Sequence, residues 1–261
     1  MEIIIIGSGN VAYHLAKAFT ERQIPIKQVF GRNENALKNL SNELNLPYST
    51  EKLDQADLYL ICVSDSAVAE VSNLIKDDKV LVAHTSGSLP KEVLQGNYRK
   101  ASFYPLQTFS KNKKLNYKDI PFFIEAENNT DTELLKHLAE RISSKVTLAD
   151  YEKRKYIHLT AVFSCNFTNH LFSIAKEIAD QQGIPFEYFL PLINETTEKI
   201  HQIEPKLAQT GPAVRNDQRI LKLHEELITN PLHLRLYQLF NESIFKLYHS
   251  ERIARNLNIN H

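Results

Sequence analysis

Apolar positions along this chain follow two different rhythms. As far as about residue 148 they gather in short runs separated by amphipathic stretches. The runs at 2–6, 26–30, 58–63, 79–83, 101–103, 120–124 and 145–148 predict strands, and the stretches at 10–21, 33–44, 66–75, 89–95 and 130–143 predict helices. Strands alternating with helices give an α/β fold, a doubly wound and mostly parallel sheet covered on both faces. From Tyr151 the rhythm changes. Neither Gly nor Pro occurs between Tyr151 and Gln182, and apolar residues recur at helical spacing. One long helix is predicted over 151–182, stopped by Gly183 and Pro185. Further helices are predicted at 186–202 (interrupted by Pro191), 204–209, 216–229 and 232–256, with no strand among them. The pattern therefore predicts two domains, an α/β domain over 1–150 and an all-helical domain over 151–261.

Composition narrows the class only a little. The chain has 261 residues, 43% hydrophobic and 24% charged, with 31 basic residues balancing 31 acidic ones. No global field draws it to nucleic acid or to an anionic membrane, so neither is an expected partner. No apolar run approaches the ~20 residues of a membrane span. With the first strand starting at residue 2, no signal peptide is expected. Cys62 and Cys165 lack metal-ligand spacing, so no metal is expected, and both are read as buried thiols of a cytoplasmic protein.

Chemistry enters at the first turn. Glu2–Ile6 reads EIIII, Gly7-Ser8-Gly9-Asn10-Val11-Ala12 follows, and Val11, Ala12, Leu15, Ala16 and Phe19 then recur at helical spacing. Strand, glycine turn and helix in that order make G-x-G-x-x-A a dinucleotide-site signal, and the sheet around it a Rossmann sheet. Gly7 permits the tight turn, Gly9 lets a pyrophosphate approach the backbone, and Ala12 lets helix and strand pack closely. The helix directs its free N–H groups at the phosphates. An NAD-preferring site places a carboxylate after the second strand, but here Gly31-Arg32-Asn33 stands there. A guanidinium binds a 2′-phosphate where a carboxylate repels it, so the expected cofactor is NADP, with Asn33 adding a donor or capping the next helix.

Ligands of open α/β sheets bind beyond the carboxyl ends of the strands. Val63-Ser64 and His84-Thr85 are expected beside the nicotinamide, and Ser86 beside a substrate oxygen. Asp65 and Ser88 are read as helix caps. Tyr104-Pro105 ends a further strand. On the long helix, Lys155, Val162, Asn166 and Asn169 share a face, with His158 at its edge. Asn166 is expected to line the substrate site, and His158 or Lys155 to supply a proton. Thr210 to Asp217 breaks the helical pattern, with Asn216 or Asp217 as caps and Arg215 as an anion-binding candidate.

GSGNVAYHLAKAF, AHTSGSLP, SFYPLQTF, HLTAVFSCNFTNHL and TGPAVRND occur in this order over nearly the whole chain. Together they resemble the bacterial Rossmann-like NADP oxidoreductases with an all-helical C-terminal domain. That family is similar to the deazaflavin-dependent NADP oxidoreductases, pyrroline-5-carboxylate reductases and 6-phosphogluconate dehydrogenases. The resemblance implies that Gly7, Gly9, Asn10 and Ala12 bind pyrophosphate, that Arg32 binds the 2′-phosphate, and that the helical domain forms a dimer. Two positions depart: Tyr104 stands where the family often has His, and Lys155 is followed four residues later by Leu159, where the β-hydroxyacid dehydrogenase relatives have Asn, so their mechanism does not transfer. The expected activity is NADP(H)-dependent hydride transfer to or from a small carbonyl, imine or deazaflavin partner between the domains. The rivals are a non-catalytic NADP-binding sensor or scaffold, and a prephenate-dehydrogenase-like enzyme with His84 as base. Broad apolar sets over 151–182 and 232–257 predict a homodimer through the helical domain.

Overall fold

The computed structural model describes residues 1–258. Eight strands form one sheet: β1 (Ile3–Ile6), β2 (Ile26–Phe30), β3 (Tyr48–Ser49), β4 (Leu58–Ile61), β5 (Leu81–His84), β6 (Arg99–Pro105), β7 (Phe122–Ala126) and β8 (Val146–Leu148). Their spatial order is β3-β2-β1-β4-β5-β6-β7-β8, parallel except for the β6–β7 pair. The helices that alternate with them are α1 (Asn10–Glu21), α2 (Glu34–Leu44), α3 (Val68–Ser72) and α4 (Asn129–Glu140).

Unbroken Ile runs suit a sheet buried on both faces. Ile3 and Ile5 pack with Ala12, Leu15, Ala16 and Phe19 of α1 in one core, while Ile4 and Ile6 join Tyr59, Ile61, Val82 and Leu94 in the other. Two predicted helices differ, and one strand stands where none is predicted. β3 is only two residues long after Pro47, too short for a periodic signal. Residues 89–95 form no α-helix, because Pro90 opens a single tight turn at Lys91–Val93 and Leu94 plugs the core. The 66–75 helix shrinks to α3. There the Ser72 hydroxyl donates to Ala69 O at 2.8 Å and accepts from Gln95 N at 2.8 Å, fastening the helix end to the loop beyond.

The predicted 151–182 helix is one helical stretch with a change of pitch: α5 (Tyr151–Ala161), a π-helical segment over Val162–Phe167, and α6 (Thr168–Gln181). Asp150 caps it by accepting from Lys153 N at 2.8 Å, and Gly183 at φ +64° ends it. α7 (Leu190–Lys199), α8 (Pro205–Ala208), α9 (Pro212–Arg215), α10 (Gln218–Leu227) and α11 (Pro231–Asn258) follow. Pro191 sits in the first turn of α7 rather than interrupting a helix, as its missing N–H allows. Asp217 caps α10 through Ile220 N at 3.3 Å. Residues 259–261 of the expected helical region lie outside the described residues.

The chain divides into two compact units, 1–168 and 169–261. Within the second, only Ala179, Ala213 and Leu221 are buried among the described side chains. Tyr188, Leu192, Leu207, Leu227, Leu232 and Leu239 are all more than half exposed.

Candidate functional site

The turn after β1 is built around two glycines with opposite reasons for being there. Gly7 sits at φ +135°, and a Cβ on it would lie 2.2 Å from the Cys62 carbonyl oxygen, so β1 and β4 approach too closely for any side chain. Gly9 has an ordinary φ of −79°, and a Cβ there would meet nothing within 4 Å. Neither packing nor backbone conformation of the protein asks for this glycine. What it leaves bare is the entrance to α1, whose first turn has no side-chain cap. Backbone and open N–H groups there fit a pyrophosphate.

A cavity of about 730 Å³ opens over this turn, lined by Gly7 to Val11, Gly31 to Asn33, Val63 and Ser64. It lies where the strand order reverses about β1 and β4, the crevice in which such sheets take ligands. Ala12 is fully buried under it. Arg32 is exposed on its wall and makes no ion pair among the described residues. Asn33 Oδ1 accepts from Ala36 N at 3.0 Å, so its side chain caps α2. The Asn10 side chain is also turned aside, donating to Phe109 O at 2.9 Å. Sequence reading missed Thr50, Glu51 and Glu70 on the same wall. They come from loops and helices carrying no motif.

A second cavity of about 900 Å³ begins at the end of β6. Tyr104, Gln107, Phe109, Lys153, His158 and Asn166 are among its lining residues. Tyr104 and His158 meet here, the hydroxyl 3.0 Å from His158 Nδ1. Gly87 is the floor beneath them: a Cβ on it would stand 2.5 Å from Tyr104 Cζ and 2.9 Å from His158 Nδ1. Burial pushes the Tyr104 hydroxyl up to about 12, with the Arg154 charge pulling it down and Asp65 adding to the rise. At neutral pH it keeps its proton.

The π-helical segment brings Asn166 to this wall although it breaks 3.6-residue spacing. Cys165 lines the same wall and is exposed, correcting the expectation of a buried thiol; Cys62 is buried as expected. Lys155 is placed differently: it pairs with Glu152 at 2.6 Å and lies outside the lining, where Lys153 stands instead. Asn169 is exposed in the second unit, as is Arg215 at the end of α9.

The end of β5 lies between the two cavities, and its polar residues serve the turn itself. Ser86 N donates to His84 Nδ1 at 3.2 Å, Ser88 N donates to Ser86 Oγ at 3.0 Å, and Thr85 Oγ1 donates to Ile61 O at 3.2 Å. His84, Thr85 and Ser86 are all buried and line neither cavity. Burial, helped by the Arg154 charge, pushes the His84 ring down to about 4.

Arg154 lies beneath, fully buried and one helical turn before His158. It donates to Glu125 Oε2 of β7 at 2.6 Å, to Leu89 O at 2.7 Å and to Ala149 O at 3.4 Å. Lys91 meets the other oxygen of Glu125 at 2.9 Å. This clamp ties α5 to the sheet and to the loop after Gly87, the two surfaces that Tyr104 and His158 join.

Residues 2–87 match the family described as NADP oxidoreductase coenzyme F420-dependent, and residues 120–244 match a domain of unknown function, DUF2520. A search of curated proteins returns no match. Among solved structures, a "putative NADP oxidoreductase" from Bacteroides fragilis is 42% identical, with 94% of this chain and 98% of that one covered at a TM-score of 0.89. A pyrroline-5-carboxylate reductase from Coxiella burnetii shares the fold at 14% identity and a TM-score of 0.56, covering 97% and 94% of the two chains. A reductive aminase from Aspergillus terreus, in complex with NADPH and ethyl-5-oxohexanoate, does so at 14% identity and 0.58, covering 96% and 86%.

Proposed function

This chain belongs to the same family as the Bacteroides fragilis protein, an NADP oxidoreductase module followed by the domain of unknown function, and we propose that it is an NADP(H)-dependent oxidoreductase acting on a small carbonyl or imine. The observation that carries this reading is the order of groups along the carboxyl edge of the sheet. The first cavity runs from β2 across β1 to β4, and the second starts at β6 with the Tyr104–His158 pair. Three strand spacings, about 14 Å, separate the Gly7 turn from Tyr104. NADPH bound over the turn supplies a hydride at its nicotinamide end.

Gly7 to Ala12 and Gly31 to Asn33 would hold the cofactor, with Val63 and Ser64 beyond them. Tyr104 would give its proton to the oxygen or nitrogen of the acceptor. With His158 Nδ1–H donating to the Tyr104 oxygen, the ring would return a proton to that oxygen as its Nε2 takes one from solvent, so that both side chains end neutral. Asn166 and Lys153 would orient the acceptor. A deazaflavin acceptor fits the same chemistry. A sensor that merely holds NADP(H) leaves the Tyr104–His158 pair without a role. The prephenate-dehydrogenase-like reading needs His84 as base, and that ring is buried away from both cavities.

Titration of both cofactors tests the site. NADPH is expected to bind more tightly than NADH, and Arg32→Ala to remove most of that difference. A charge-assisted contact is worth ~1.5–3 kcal/mol, roughly ten- to a hundredfold. Equal affinities in the unaltered protein sink the NADP assignment.

The partner we assign to the exposed apolar side chains of the second unit is another copy of this chain. A helical unit with so few buried residues gains its core by pairing. Light scattering is expected to give about twice the 30.0 kDa chain mass. A monomer at micromolar concentration refutes the pairing.

A further inference from the structure

We infer that Lys111, far from the glycine turn in sequence, is a phosphate-binding residue of the dinucleotide site, and that the segment carrying it couples cofactor binding to the wall of the second cavity. The inference rests on the NADP(H) reading of the first cavity.

The segment between β6 and β7 lies across the start of α1. Lys111 Nζ donates to Ser8 O, the middle residue of Gly7-Ser8-Gly9, at 2.9 Å. An ammonium has three N–H donors, so two remain for another acceptor. No carboxylate pairs with Lys111 among the described residues. Lys17, which shares α1 with the turn, is paired with Glu43 at 3.2 Å, whereas Lys111, which lines a neighbouring cavity together with Lys17 and Lys114, has no such partner among the described residues. Ser8 and Gly9 face the cavity into which a pyrophosphate would bring its negative charge.

The attachment is built rather than incidental. His14 of α1 is 2% exposed, and both ring nitrogens engage the segment and its continuation: Nε2 lies 2.9 Å from Ser110 O and Nδ1 2.9 Å from the Tyr117 hydroxyl. The His14 ring stacks on Phe109 at 5.1 Å. Asn10, a residue of the cofactor turn, donates its side chain to Phe109 O. Gln107, Thr108 and Phe109 then form part of the second cavity. One short stretch thus touches the phosphate turn with Lys111 and walls the second cavity with the residues just before it. A phosphate drawn to Lys111 holds that wall in place, so cofactor is expected to bind before the acceptor.

The test titrates NADPH into wild-type protein, Lys111→Gln and Lys114→Gln, and measures backbone hydrogen exchange over 106–117 with and without NADPH. Lys114 shares the segment without touching the turn. Lys111→Gln is expected to raise the NADPH Kd about tenfold, to weaken its salt dependence, and to lose the NADPH-induced protection of 107–111. Lys114→Gln is expected to match wild type. Equal thermal unfolding of the cofactor-free proteins shows that the change is not one of folding. Lys111→Gln with wild-type affinity and protection overturns this inference alone. Wild-type protein that takes up no NADPH overturns it together with the cofactor reading.

Discussion

Arg154→Ala is expected to cost about 3–5 kcal/mol of stability, the range for stripping one partner from a buried ion pair. The substitution leaves Glu125, whose side chain is 11% exposed, without the guanidinium at 2.6 Å. It also leaves Leu89 O and Ala149 O without their donor. Lys91 still touches Glu125, which places the loss toward the lower end of the range. Arg154→Met combined with Glu125→Gln is expected to recover much of it, because no charge then remains buried without a partner. Urea unfolding of the singles and the double measures this, and a double variant as weak as Arg154→Ala contradicts it. A buried pair is a poor way to gain stability alone, since well-packed apolar side chains often do as well. It lies between α5, which carries His158, β7 and the loop after Gly87.

What the sequence made legible was local. The strand, Gly7 turn and α1 lie within one short stretch, in which Gly7 answers the close approach of Cys62 and Gly9 leaves the entrance to α1 bare. Arg32 follows from its place after β2 in the same way. Where spacing was read through a regular helix it failed by one wide turn: the π-helical segment at 162–167 shifts the faces after it, so Lys155 falls outside the wall that Asn166 joins. Residues 89–95 show helical spacing because Leu94 is aimed at the core, although the backbone turns extended at Leu94 after a single turn.

The rest depended on tertiary contact. Tyr104 and His158 are 54 residues apart, and Lys111 is 103 residues from Ser8. Arg154 looks like any charge on a helix until β7 and the loop close over it. No periodicity carries such information, because each contact is made by the sheet bringing distant chain ends together. The role of Gly87 belongs here as well. A glycine follows Ser86 in the sequence, but its reason is the pair of rings lying above it.

Transfer of deuterium from 4-deuterated NADPH to a panel of small carbonyls and imines, followed by mass spectrometry, tests the central claim most directly when run on wild type and Tyr104→Phe together. Phenylalanine keeps the ring over Gly87 and removes only the hydroxyl that faces His158. General acid catalysis contributes roughly 10²–10⁴-fold, so the variant is expected to slow transfer by at least about a hundredfold. NADPH affinity is expected to stay as in wild type, because the hydroxyl lies outside the first cavity. Wild-type protein is expected to yield a product carrying one deuterium on the former carbonyl or imine carbon. A Tyr104→Phe variant that transfers deuterium at the wild-type rate, or wild-type protein that binds NADPH and leaves its deuterium in place across the panel, contradicts the account.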